Sequence, residues 1–151
     1  FGYTSFAAAG GYGGKRGHNG IDFRGDTGTP VFSAERGIVE AVGDTDIGCR
    51  GASYGKWVLI RHPNNLSTLY AHLSAIIADS GEKVARGDRI GLSGKSGYAT
   101  GPHLHFGVFA AQAVEIKTIV SRVCGRNMTL PVAGSDPVSG VGGYLNPLDY
   151  L

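Results

Sequence analysis

The stretch GPHLHFG, residues 101–107, decides the fold and the site, because it sets two histidines two positions apart in an apolar run. Side chains alternate between the faces of a β-strand, so His103 and His105 are expected to share one face, with Leu104 and Phe106 on the other. Their Cα atoms would lie about 7 Å apart. This suits a metal ligand beside a group that acts next to the metal. Taken alone, the pair equally fits two partly exposed strand histidines with ordinary hydrogen bonds.

Short apolar runs separated by glycine-rich turns make up most of the chain. It has 151 residues, of which 26 are glycine and 42% are hydrophobic, enough for one domain with a buried core. This pattern predicts an all-β fold, a mostly antiparallel sheet or sandwich with a loop-walled groove, and no long helix. Predicted strands include residues 30–32, 37–43, 56–62, 66–73, 103–109 and 113–120.

We expect residues 1–151 to form a single domain. Its core motifs occupy about residues 12–109, an extended loop and strand excursion covers 110–143, and residues 144–151 close the chain. Residues 121–143 are the part of this excursion that is rich in Gly, Pro and Ser. The chain begins at Phe1 without a signal peptide, as a trimmed or mature domain would, so we expect a monomeric domain of a longer protein.

Composition narrows the class of partner. The formal net charge is +2 and Lys and Arg are not clustered, so nucleic acid is a poor candidate. A mildly basic chain favours an anionic polymer such as a cell wall. There is no run of 18 apolar residues, so no membrane span is expected.

The two cysteines, Cys49 and Cys124, are too far apart in sequence for a CxxC metal or redox pair. A disulfide, two buried thiols and one reactive thiol all remain open. The disulfide is favoured because both cysteines lie in glycine-rich loop sequence. Such a bridge would stabilise the fold by about 4 kcal/mol in the chain-entropy model and would indicate a compartment outside the cytosol.

Four of the five histidines lie in apolar or glycine-rich sequence that should bring them to a sheet face. These are His18, His72, His103 and His105. His72 is predicted to lie at the C-terminal end of its strand, where its side chain can project into a groove, whereas His62 lies beside a turn and is predicted to be a surface residue. Asp22 follows His18 by four positions, so in an extended segment both side chains face the same side.

These residues suffice for metal-assisted hydrolysis. A catalytic zinc ion takes three protein ligands and keeps one position for water or substrate. Two histidines and one carboxylate would leave it a good Lewis acid that lowers the pKa of its water to roughly 7. Two further histidines would remain as groups that titrate near neutral pH. The chain has no HExxH motif, which excludes the common helical zinc-protease scheme.

Taken in order, the motifs resemble those of the M23 (lysostaphin/LytM-type) zinc metallopeptidases. The HxxxD motif of His18 and Asp22 resembles the first family motif, and GTPV at residues 28–31 its continuation. YAHL at residues 70–73 resembles the middle histidine motif. SGYATGPHLHF at residues 96–106 is similar to the His-x-His motif and its leader. The similarity runs from about residue 17 to 109, with NPL at residues 146–148 also alike.

The resemblance implies a lysostaphin-type fold and a zinc endopeptidase that cuts peptide bonds in bacterial peptidoglycan, secreted or in the cell envelope. It implies one Zn²⁺ per domain with three ligands: His18, Asp22 and His105. It implies that His72 and His103 act on the attacking water and the tetrahedral intermediate, and that Tyr12 helps stabilise the oxyanion. A tyrosine packed at the rim of the groove is the alternative for Tyr12.

The resemblance also implies a peptide-binding groove. Its expected walls are residues 44–55, 75–81 and 93–101 together with the late excursion. The segment between residues 109 and 146 is longer than the family's usual connection. If Cys49 and Cys124 pair, they tie two loops together and set the width of the groove. A non-catalytic cell-wall-binding or amidase-activating module is the alternative function, although all five motif positions are intact.

Overall fold

Antiparallel strands account for most of the chain in the computed structural model, which describes residues 19–134 and 143–150. All strand pairs in this part are antiparallel, so the all-β prediction is confirmed. The strands are β1 (Ile21–Arg24), β2 (Pro30–Phe32), β3 (Gly37–Asp44), β4 (Lys56–Arg61), β5 (Leu66–Ile76), β6 (Lys83–Val84), β7 (Arg89–Ser93), β8 (His103–Ala110), β9 (Val114–Val120), β10 (Asn127–Ala133) and β11 (Tyr144–Leu145).

Helical structure is confined to single turns in the described ranges. The α-helix α1 (Thr45–Gly48) follows β3 directly, and 3₁₀ turns lie at Ala111–Ala113 and Pro147–Asp149. The Asp44 carboxylate caps α1 by accepting a hydrogen bond from the Asp46 amide at 2.9 Å. Among the described residues, no helix has the length and apolar character needed to cross a membrane.

The main sheet has the strand order β1-β8-β5-β4-β3-β6, with β11 added to β8 and β7 paired with both β2 and β5. Strand β8 therefore lies between β1 and β5, which are distant from it in sequence. The register sets Asp22 opposite His105 on one side and Ala71 opposite His105 on the other. This arrangement brings the predicted site residues of β1, β5 and β8 together.

Both faces of the central strands are buried. Strand β4 sends Val58 and Ile60 into one apolar cluster and Trp57 and Leu59 into another. A strand covered on both faces has a continuous apolar sequence instead of an alternating one, which explains the run WVLI in β4. The second cluster is completed by Leu130 and its neighbours in the hairpin of β9 and β10, so this hairpin covers the second face of the sheet.

The β9–β10 hairpin lies within the loop and strand excursion predicted for residues 110–143, although only β9 was predicted as a strand. Residues 127–133 pair along their whole length with β9. Pro131 lies within this run, and a proline inside an apolar run argues against a strand unless the strand is at an edge. In the structure β10 belongs to a separate two-stranded sheet and pairs with no strand other than β9 among the described residues, so the proline is tolerated.

Cys49 and Cys124 form a disulfide, with an S–S distance of 2.04 Å and a Cα–Cα distance of 6.0 Å. Cys49 follows α1, and Cys124 lies in the turn between β9 and β10. The bridge therefore fastens the loop after β3 to the hairpin. The predicted pairing is confirmed, and the two free-thiol alternatives are excluded.

His62 is buried, which corrects its prediction as a surface residue. Its Nδ1 lies 2.9 Å from the Arg36 carbonyl oxygen and its Nε2 lies 2.7 Å from the Thr68 hydroxyl. The turn predicted beside His62 is present, and the His62 amide donates to the Leu66 carbonyl across the end of the hairpin. The ring nevertheless points inward, where two partners satisfy both of its nitrogens. His62 therefore has a structural place in the core.

Candidate metal and catalytic site

Asp22 is the point at which the histidines of β8 meet. Its Oδ1 lies 3.0 Å from Nδ1 of His105 and 3.7 Å from Nε2 of His103. The two histidines reach the same carboxylate oxygen, so they share one strand face as the period of two predicts. Phe106 lies in the core, and Leu104 packs against it. Neighbouring side chains cover most of Asp22 and His105.

His72 completes the cluster from strand β5. Its ring centroid lies 4.7 Å from that of His103 and 5.9 Å from that of His105. Its Nδ1 lies 2.8 Å from the carbonyl oxygen of Ser96. A carbonyl oxygen only accepts hydrogen bonds, so the His72 proton is on Nδ1 and the lone pair is on Nε2. Three of the four predicted histidines thus form one cluster.

Burial governs the charge of His72. The pKa of His72 is lowered to about 4, mainly by removal from water, and the nearby His105 and His103 act in the same direction. The hydrogen bond to Ser96 and the charge of Asp22 oppose this shift without reversing it. His72 is therefore a neutral imidazole at neutral pH. His103 has the same tautomer as His72, with the proton on Nδ1, because His103 Nδ1 lies 2.8 Å from the Gly101 carbonyl oxygen.

The family assignment follows from the sequence span that contains this cluster. The model of Peptidase family M23 matches residues 16–116, about two thirds of the chain. The chain belongs to Peptidase family M23. All four clustered side chains lie within the matched span, whereas β10 lies beyond it.

Relatives of this M23 chain include a peptidoglycan enzyme and two solved peptidases. Peptidoglycan DD-endopeptidase ShyA of Vibrio cholerae is 47% identical over 90 residues, covering 59% of this chain and 19% of the relative. A zinc-containing peptidase from Vibrio cholerae has 37% identity and a TM-score of 0.58, covering 66% of this chain and 29% of its own. The catalytic domain of the antimicrobial peptidase lysostaphin from Staphylococcus simulans has 32% identity and a TM-score of 0.59, covering 74% and 78%.

The chain spans about a fifth of the length of the curated relatives it matches first. The solved lysostaphin domain, in contrast, has a similar extent. The similarity therefore concerns one domain, and its lysostaphin-type fold agrees with the fold implied by the sequence motifs.

Two predicted residues of this M23 site, His18 and Tyr12, lie outside the described residues. Within residues 19–134 and 143–150, no three His, Cys, Asp or Glu side chains form a group able to hold a metal ion. The described part contributes Asp22 and His105. Their facing atoms are 3.0 Å apart, close to the ~3.3 Å expected for two atoms bonded to one tetrahedral zinc ion at about 2.0–2.1 Å. The oxygen and nitrogen donors also fit zinc.

Tyr54 lies against the candidate site and was not singled out from the sequence. Its ring stacks on His105 with centroids 5.8 Å apart and an interplanar angle of 27°. Its hydroxyl accepts a hydrogen bond from the Asn19 side-chain amide at 2.7 Å, and burial raises the pKa of Tyr54 well above its ordinary value. Tyr54 therefore supports His105 and also holds the residue next to His18. Only its place in the predicted wall loop 44–55 pointed to the site.

Gly20, just before β1, occupies a position where a side chain would not fit. A Cβ at this position would overlap the Phe106 carbonyl oxygen and would lie 2.7 Å from Cε1 of His105. Only a glycine lets the start of β1 lie directly against the His105 ring. The segment between His18 and Asp22 is therefore shaped by its contact with β8.

His72 has a backbone conformation unusual for its side chain. Its φ is +59°, in the left-handed region that disfavours residues with a Cβ. At this point β5 leaves β8, with which Ala71 is the last residue to pair, and pairs with β7 from Leu73 onward while Leu73 still pairs with β4, so the strand continues to Ile76. The strand thus runs beyond its predicted end at residue 73, and His72 lies within it instead of at its C-terminal end. The change of partner turns the His72 ring toward His103.

We expect His72→Gly to be more stable than His72→Ala by about 1 kcal/mol, because glycine adopts positive φ without the cost of a Cβ. Unfolding by urea of the zinc-free variants measures this difference. The matched pair Ser74→Gly and Ser74→Ala, in the same strand at an ordinary φ, should show the opposite order. If His72→Ala is at least as stable as His72→Gly, the inferred backbone strain at position 72 is contradicted.

Proposed function

We propose that this chain is the catalytic domain of a zinc-dependent endopeptidase that hydrolyses peptide bonds in bacterial peptidoglycan, in crosslinks or stem peptides. The observation that carries the proposal is the meeting of Asp22, His72, His103 and His105, which come from three neighbouring strands. Membership of family M23 and the names of the relatives, a peptidoglycan DD-endopeptidase and an antimicrobial peptidase, support this substrate class.

In this proposal Asp22 and His105 hold one zinc ion together with His18. The zinc-containing peptidase of Vibrio cholerae supports the choice of metal. When bound, zinc polarises the scissile carbonyl group and makes the attacking water more acidic. Tyr54 and Gly20 keep the His105 ring in place, so the chain presents this ligand in a fixed orientation.

His72 and His103 are the proposed acid–base pair. Each has its proton on Nδ1, held by a backbone carbonyl, and so presents the lone pair of Nε2. One of them accepts a proton from the attacking water at Nε2. The other takes up a proton from solvent at Nε2 and donates it in a hydrogen bond to the oxyanion, and Tyr12 is proposed to donate a second hydrogen bond. Because Nδ1–H keeps its carbonyl acceptor throughout, neither ring has to turn during the reaction.

The proposed place of action is the cell envelope or the extracellular space. The disulfide between Cys49 and Cys124 supports an oxidising compartment. The proposed substrate is an extended peptide in a groove walled by residues 44–55, 75–81 and 93–101, and the domain acts as a monomer within a longer protein.

Zinc content and released amines together test the proposal. Purified protein should contain one zinc ion per chain and should release free amines from purified peptidoglycan. A chelator should abolish the release, and added zinc should restore it. If zinc-loaded protein sediments with peptidoglycan but releases no amines, the proposed enzymatic activity is contradicted and a non-catalytic cell-wall-binding module is favoured. Activity that survives complete removal of the metal would contradict the zinc mechanism.

A further inference from the structure

Two loops meet directly behind His72. The first loop, residues 45–55, contains α1, and the second loop, residues 94–102, leads into β8. The Tyr98 amide donates to the Ser53 carbonyl at 2.8 Å. A Cβ on Gly97 would overlap the backbone of Gly55, so the loops touch backbone to backbone. The position of the second loop is thus set by the first.

A single peptide group at this junction has partners on both sides. The carbonyl oxygen of Ser96 accepts from His72 Nδ1 at 2.8 Å. The amide of the same peptide group, on Gly97, donates to Oδ2 of Asp46 at 3.0 Å. The hydrogen bonds therefore run without interruption from the carboxylate through one peptide unit to the imidazole.

Asp46 is itself held firmly. Its Oδ1 accepts from the Gly51 amide at 2.7 Å, and its own amide donates to the Asp44 carboxylate. The Ser96 end is fixed as well, because the Ser96 hydroxyl donates to the Leu73 carbonyl at 2.7 Å and accepts from the Lys56 amide at 2.8 Å. Neither end of the peptide group is free to turn away from its partner.

We propose that Asp46 is a positioning residue that acts on His72 through the Ser96–Gly97 peptide group. A negative charge on the N–H side of a peptide polarises it and makes its carbonyl oxygen a stronger acceptor. The stronger acceptor holds the proton on His72 Nδ1, keeps the ring orientation, and leaves the Nε2 lone pair toward the substrate. A carboxylate supports a catalytic histidine in the same sense when it contacts the ring directly, whereas here a peptide group intervenes.

This inference rests on the proposed role of His72 and adds a residue that the family motifs of the sequence do not include. Within the part of the chain that the structure describes, Asp46 makes no hydrogen bond or ion pair with the histidine cluster, and its carboxylate accepts from the backbone amides of Gly51 and Gly97. Its effect on catalysis should therefore appear in kcat while substrate binding and zinc binding are unaffected.

The test is Asp46→Asn, which keeps the size and one acceptor oxygen but removes the charge. We expect kcat on peptidoglycan to fall about 10-fold, with KM and zinc content unchanged. In Asp46→Ala, kcat should fall further, by about 100-fold. Asp88→Asn is the matched control, because it removes the charge of another carboxylate that accepts from a backbone amide, that of Ala85 at 2.7 Å, in a turn apart from both loops, and its kcat should equal that of the wild type. Wild-type kcat in Asp46→Asn would overturn the proposal and leave Asp46 a structural residue.

A second measurement needs neither variant nor substrate. Nitrogen-15 NMR of the zinc-loaded 151-residue chain should show His72 protonated at Nδ1 and a coupling across the hydrogen bond from the Gly97 amide to the Asp46 carboxylate. A His72 protonated at Nε2, or no coupling, overturns the proposal even if Asp46→Asn does not fold. If the wild type does not release amines, the proposed function fails, and the NMR result still decides whether Asp46 orients His72.

Discussion

Replacing His103 by alanine is expected to lower kcat/KM for peptidoglycan hydrolysis by about 10²–10⁴-fold, the range typical of a lost acid–base group, while zinc content stays at one ion per chain. His103 packs against His72 with centroids 4.7 Å apart, and its Nε2 is 3.7 Å from Asp22. In our assignment it is not a zinc ligand. Amine release under initial-rate conditions and zinc stoichiometry by atomic absorption give the two readouts.

Two further variants make the His103 result specific. Asp22→Ala should lose zinc and activity together, because Asp22 is assigned as a ligand. His62→Gln replaces a buried histidine that is not part of the cluster, and it should lower stability while the folded fraction keeps its kcat/KM. A His103→Ala protein that loses zinc in proportion to activity would contradict its assignment, and one with undiminished kcat/KM would contradict its role in catalysis.

Local sequence predicts much of this site because its geometry is local. A strand alternates strictly, so His103 and His105 had to share a face, and both reach the same oxygen of Asp22. The fold class follows in the same way from short apolar runs and turn residues. The meeting of β1, β5 and β8 is a property of the strand order, which the residues alone do not specify. It was expected only because several ordered motifs resemble those of one family.

The errors come from contacts between residues distant in sequence. His62 lies inward because Arg36 and Thr68 satisfy its ring, although its neighbours form a turn. The supporting roles of Tyr54 and Asp46 depend on contacts between two loops. The composition of a single loop does not predict which other loop it contacts. The general physical reason is that turn and strand signals are read over a few residues, whereas side-chain partners are set by the whole fold.

Removing the disulfide should have the largest effect on stability. Cys49 and Cys124 are 75 residues apart, and in the chain-entropy model the loss of so long a loop closure costs about 4 kcal/mol. For a domain of this size the midpoint of thermal unfolding should fall by roughly 10 °C. Thermal and urea unfolding of a protein with both cysteines replaced by serine, compared with the oxidised wild type, measures the loss.

The same substitution should also lower turnover. The bridge fastens the loop that carries Asp46 and Tyr54, so the loops behind His72 and beside His105 should become more mobile without it. Activity must be compared well below the unfolding transition, where every molecule is folded. Ser121→Ala is the control, because the Ser121 hydroxyl lies 3.3 Å from Cys49 Sγ and its removal leaves the bridge intact. Undiminished turnover in the folded double variant would mean that the loops keep their positions without the bridge, which would confine the disulfide to a role in stability.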